Sequence, residues 1–159
     1  MGAAYFYQLS HSPLESALSL LAGRALQAGW RVAIRAQSAE QIAWLDDQLW
    51  TLQADSFLPH GRSDAPFAEA QPILLTMAQA HPKSAPNAPD CVISVDGAEI
   101  SPEEISGIAR ACIVFDGAFP DALTRAREQW KAIVAAGVSA QYWSEAQGRW
   151  QKMAESGAS

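Results

Sequence analysis

Apolar positions recur along the chain in two rhythms. Runs of apolar or aromatic residues at Ala3–Leu9, Arg31–Arg35, Pro72–Met77, Cys91–Val95 and Ala111–Phe115 predict strands. Between them the spacing changes to three and four. Leu14, Leu18, Leu21, Ala22, Ala25 and Leu26 mark one helix, and Ile42, Leu45, Leu49 and Trp50 mark a second. Ser101-Pro102-Glu103-Glu104 opens a short third helix, and Phe119 to Ala136 forms a long fourth. Ser12 is expected to cap the first helix, with Pro13 at its first position and Glu15 in its first turn; Ser38 caps the second. Gly29 and Gly137 close the first and fourth helices. Val138 to Trp143 should be extended and Ser144 to Glu155 should form a last helix. Residues 61–72 and 79–90 read as loops, the second carrying Pro82, Pro86 and Pro89.

Strands that alternate with helices, several of them continuously apolar, predict an α/β fold. The expected architecture is a mostly parallel central sheet with helices on both faces, three-layered and Rossmann-like. No internal repeat and no long linker divides the 159 residues. One domain over 1–155 with a frayed tail at 156–159 is the reading.

Composition narrows the class. Apolar residues make up 49% and charged residues 18%, the balance of a folded chain. No apolar run approaches the ~20 residues that span a bilayer, and Met1 to Tyr7 lacks a basic n-region. A cytoplasmic protein with no membrane partner is expected. Cys91 and Cys112 read as two isolated, small buried apolar groups. The net charge of −6 argues against broad contact with a DNA backbone. Residues 110–152, however, hold six cations against four carboxylates, a local +2 that leaves −8 elsewhere. A basic region on an acidic protein suits a small acidic ligand.

An α/β layout raises the prospect of nucleotide binding, but the required residues are missing. There is no Gly-x-Gly-x-x-Gly and no Gly-x-x-x-x-Gly-Lys, and the turn Ser10-His11-Ser12-Pro13 has no glycine to let a phosphate approach the backbone. His11, His60 and His81 have no partner at metal-ligand spacing, so neither a metal nor a cofactor is expected. No Gly-x-Ser-x-Gly is present. Asp46 and Asp47 are neighbours on a helix and point about 100° apart, which suits solvated carboxylates better than a proton-sharing pair. The chemistry is that of a binding protein, not of an enzyme.

Several segments, in order along the chain, resemble the chi subunit of the bacterial DNA polymerase III clamp-loader complex. They are Ala4-Tyr5-Phe6-Tyr7-Gln8-Leu9, Gly29-Trp30-Arg31-Val32-Ala33-Ile34, Leu45-Asp46-Asp47-Gln48-Leu49-Trp50, Ser56-Phe57-Leu58-Pro59-His60, Arg125-Ala126-Arg127-Glu128-Gln129-Trp130-Lys131 and Ala136-Gly137. The stretch from Leu45 to His60 is the most specific. The resemblance implies a non-catalytic subunit with two binding faces. One takes the psi subunit or the clamp loader, through Trp50 and Phe57. The other takes the acidic C-terminal tail of single-stranded DNA-binding protein, so that DNA is met only through that partner.

The residues themselves agree with the second face. Arg127 and Lys131 are spaced i, i+4, and Trp130 stands at i+3 from Arg127. An arginine can clamp a terminal carboxylate, lysine can attract the tail's acids, and an indole can wall a pocket for the tail's last aromatic residue. The resemblance would place a base where Leu123 stands, so Arg125 is expected to supply that charge. A monomer within a larger complex is the implied state. Two other readings compete: a nucleotide-binding or helicase-like α/β domain, and an enzyme whose pocket uses His60 and scattered acids.

Overall fold

A computed structural model describes residues 2–10, 13–51, 60–62, 72–77, 89–95, 97–146 and 149–156, with the backbone alone at 49–51, 60–62 and 146. Among the described residues the elements run β1 (Ala3–Leu9), α1 (Leu14–Gln27), β2 (Val32–Ala36), α2 (Ala39–Thr51), β3 (His60–Arg62), β4 (Ile73–Met77), β5 (Cys91–Ser94), α3 (Pro102–Ser106), β6 (Arg110–Asp116), α4 (Pro120–Ala135), β7 (Ser139–Ala146) and β8 (Arg149–Ser156). The strands form one sheet in the order β3-β4-β2-β5-β6-β1-β7-β8. Every neighbouring pair is parallel except β7–β8. This is the mostly parallel α/β sheet with helices on both faces that the alternating pattern predicts.

Side-chain alternation divides the core into two layers. Val32, Ile34 and Ala36 of β2, with Cys112 and Val114 of β6, pack beneath Leu18 and Ala22 of α1 and Ile42 and Leu45 of α2. The intervening residues face the other way. Phe6, Ala33, Ile113 and Phe115 meet Ile105 of α3 and Ala126 and Ile133 of α4. Phe6, Leu18, Ile34, Leu45, Ile105 and Ile133 are fully buried, each worth roughly 1.5–3 kcal/mol of transfer free energy.

The helix ends follow local chemistry. Gly29 (φ +85°) and Gly137 (φ +83°) take the left-handed conformation that ends α1 and α4, where a side chain would be strained. The Ser38 hydroxyl accepts the Gln41 amide at 3.1 Å, and the Ser101 hydroxyl accepts the Glu104 amide at 3.2 Å. The start of α1 departs from expectation. Pro13 holds the cap position: its ψ of 151° is extended, its carbonyl accepts from Ala17, and it makes no side-chain capping bond, while Ser12 lies outside the described residues.

Three further expectations are corrected. Residues 144–155 do not form a helix. They complete β7 and build β8, which pairs antiparallel from Ala146–Arg149 to Ala140–Ser156. A two-residue connection is the commonest way to join such strands, and the edge position leaves most of β8 exposed. Within the expected loop after Pro59, Gly61 and Arg62 belong to β3, which pairs with β4. Cys91 and Cys112 are not isolated. They are buried free thiols on neighbouring strands, and a hydrogen bond with Cys91 is the largest of the causes, with burial, that push the Cys112 thiol well above its usual range.

Candidate functional site

Helix α4 carries all four basic and aromatic candidates, but on two flanks. Residues two apart on a helix point about 200° apart, and Arg125 and Arg127 stand in that relation. Arg127 and Lys131 are exposed and Trp130 is half-buried. The Trp130 ring meets Phe6 edge-on at 5.4 Å between centroids and Tyr142 of β7 at 6.0 Å. Tyr142 also stacks on Phe6 at 6.2 Å and meets Phe115 at 6.0 Å, and its hydroxyl donates to Gln8 Oε1 at 2.5 Å. Burial raises the Tyr142 phenol above its usual range, and the charge of Arg127 opposes that rise. Arg127, Trp130 and Tyr142 therefore form one surface: a cation beside two half-buried rings, with Lys131 one turn further along.

Arg125 lies on the opposite flank, toward Gly97. A methyl group built on Gly97 would sit 2.7 Å from an Arg125 guanidinium nitrogen. Leu123 packs against the core beside Trp130, so Arg125 does not stand where Leu123 does. The structure thus brings Arg127, Trp130 and Lys131 together and separates Arg125 from them. Tyr142 was not among the sequence candidates. The only signal for it is its position in a segment expected to be extended beside α4.

The second pair of candidates is only partly covered. Trp50 lies in the last turn of α2, where its backbone alone is described, and Phe57 lies outside the described residues. The same helix bears a residue the apolar stripe passed over. Trp44 falls off the stripe of Ile42 and Leu45 and is 40% exposed, an unusual placement for so large an apolar group.

A cavity of about 530 Å³ opens at the C-terminal ends of the strands. Strands β1 and β6 are neighbours, yet α1 after β1 and α4 after β6 pack on opposite faces. Such a divergence is where α/β folds bind ligands. Its lining includes Asp116, Asp121, Phe119 and Arg125. Two carboxylates beside one guanidinium give a phosphate little attraction. Among the described residues no group of three or more His, Cys, Asp or Glu could hold a metal ion, and no helix is long and apolar enough to cross a membrane.

Compared with known protein families, residues 1–141 match the family described as DNA polymerase III chi subunit, HolC. Comparison with curated proteins gives no match.

Proposed function

Because the chain belongs to the DNA polymerase III chi subunit family, and so to the accessory subunits of that polymerase, we propose that it ties the replicase to single-stranded DNA-binding protein. The grip is on that protein's acidic C-terminal tail, and the chain performs no chemistry of its own. The observation that carries this reading is the surface of α4. Arg127 and Lys131 project from the same side of the helix as Trp130, and Trp130 and Tyr142 form a half-buried aromatic wall beside Arg127. The tail's acids are drawn in by the two cations, Arg127 takes the terminal carboxylate in a two-pronged hydrogen bond, and the last aromatic ring packs against Trp130 and Tyr142. Arg125, on the far flank, adds only to the long-range potential.

The opposite partner, psi or the clamp loader itself, docks on α2 and the segment that follows it, through Trp50 and Phe57. An exposed Trp44 on α2 supports this assignment, since a tryptophan held partly in solvent is a good interface anchor.

Fluorescence anisotropy of a labelled tail peptide, titrated with the full chain, tests the first half. Saturable binding that disappears when the terminal aromatic is removed is the expected result. Absence of binding at low salt would sink the tail-docking role.

A further inference from the structure

On the face of the sheet opposite α4, the β7–β8 hairpin extends beyond α1, which packs on β2 and β6. The uncovered strip between them holds a cavity of about 290 Å³. Its floor is aromatic. The pairing sets Tyr7 of β1 beside Trp143 of β7, and Glu145 beside Trp150 of β8. The rings of Tyr7 and Trp150 meet edge to face at 5.4 Å. Tyr5 lies two residues back along β1, with Arg110 at the next level, paired with Ala3. The Arg110 guanidinium rests 4.3 Å above the Tyr5 ring and 5.2 Å from that of Trp30, which fixes it in place. The helical wall is a single stripe of α1: Ala17, Leu20, Leu21 and Arg24. Leu20 is 44% exposed there.

The charge in this groove opposes that of the molecule. Among the described residues neither Arg24 nor Arg110 has a carboxylate partner. Glu155, on the rim, is engaged by Lys152 at 3.2 Å and by Gln141 at 2.9 Å, and Glu145 accepts the Ser10 amide. Two cations therefore lie unopposed at one end of a row of rings.

We propose that this groove binds a short stretch of single-stranded DNA, one base stacked among Tyr7, Trp143 and Trp150 and the adjoining phosphates on Arg24 and Arg110. Aromatic side chains from adjacent strands line the groove, and aromatic stacking tolerates any base, while two guanidinium groups on separate elements can follow a backbone. A peptide carboxylate calls instead for a single two-pronged clamp. The cavity lies at the lower limit of ligand pockets, ~300–1,000 Å³, which matches one nucleotide at a time. With a net charge of −6 around it, the groove holds a short segment and not a long polyanion. Trp143 and Trp150 lie beyond the residues that the family match covers.

The test is anisotropy of a short labelled oligothymidine titrated with the full chain. Saturable binding is expected at low salt, weakening with a log–log salt slope of about −1.4, the value for two neutralised phosphates on a single strand. Trp143→Ala and Arg24→Glu should each weaken it by about tenfold. Arg24 is exposed on a helix, so its substitution reads binding without disturbing the core. No saturation at low salt, or native affinity in the Arg24→Glu variant, would overturn the proposal. Displacement of the oligonucleotide by a peptide with an aromatic C-terminus would also overturn it and make the groove a peptide site.

Discussion

Arg35 of β2 and Glu104 of α3 form a two-pronged ion pair inside the protein, with side-chain exposures of only 3% and 8%. One guanidinium nitrogen also donates to the Glu99 carbonyl at 3.0 Å. Alternation along β2 turns Arg35 to the α3 side while Val32, Ile34 and Ala36 face α1 and α2, so the charge is buried by register. Glu104→Ala should then strand a buried cation and cost about 3–5 kcal/mol, whereas the double change Arg35→Met, Glu104→Leu should recover most of that. Urea denaturation of the three proteins decides it. Equal losses in the single and double variants would show that the pair's contribution is not one of charge.

Arg127→Ala should weaken tail-peptide binding by about tenfold or more, since a charge-assisted hydrogen bond is worth roughly 1.5–3 kcal/mol. Added salt should weaken the native complex as well, as the Debye length shrinks from ~10 Å at 0.1 M to ~3 Å at 1 M. Anisotropy across a salt series measures both. An unchanged affinity in the variant would remove Arg127 from the site.

Trp44→Ala should change stability by less than about 1 kcal/mol, because the indole is half in solvent. The same variant should weaken capture by the clamp loader, as should Trp50→Ala and Phe57→Ala, by about tenfold or more if these residues anchor the interface. Thermal melting paired with surface capture on immobilised clamp loader separates the two effects. A large loss of stability in Trp44→Ala would mark it as a packing residue instead.

Alkali should unfold this protein earlier than its carboxylates would suggest. Burial holds the Tyr7 phenol well above the usual tyrosine range; Cys112 adds to that, while Arg110 and Arg24 pull against it. The Cys112 thiol is raised too. In the unfolded chain these groups ionise near ~8.5 for the thiol and ~10 for the phenol. Above those values the native state holds more protons than the unfolded one, so stability falls as pH rises. Stability should hold to about pH 8.5, decline beyond it, and steepen above about pH 10, and Tyr7→Phe should flatten the upper part. Denaturation midpoints across that range provide the measurement. An identical profile in Tyr7→Phe would refute the assignment.

The interior strands were legible because burial on both faces makes them continuously apolar: Cys91-Val92-Ile93 and Ala111-Cys112-Ile113-Val114 carry no other plausible reading. The edge strands were not. At β8 only Trp150 and the last residue escape full exposure, so no alternation marks it, and the Gly148 that separates it from β7 was the one usable signal. The three residues of β3 owe their conformation to pairing with β4, which no local pattern records. Within α4, spacing alone joins Arg127, Trp130 and Lys131 and also sets Arg125 apart. Tyr142, Gln8 and Phe115 enter that surface from three strands, and such a meeting is visible only once the sheet order is known.

That order also bears on how the chain can be made. Strand β1 is synthesised well before both of its neighbours, β6 and β7, which come from residues at and after Arg110. Until β6 has emerged, Ala3–Leu9 has bare hydrogen-bonding edges and two unpartnered tyrosines. Contacts so distant in sequence slow closure of the sheet, and a chain stopped before β6 leaves an aromatic strand open to pairing with other chains. Nascent-chain quality control should therefore weigh more heavily on this chain than on one whose early strands pair with their immediate successors.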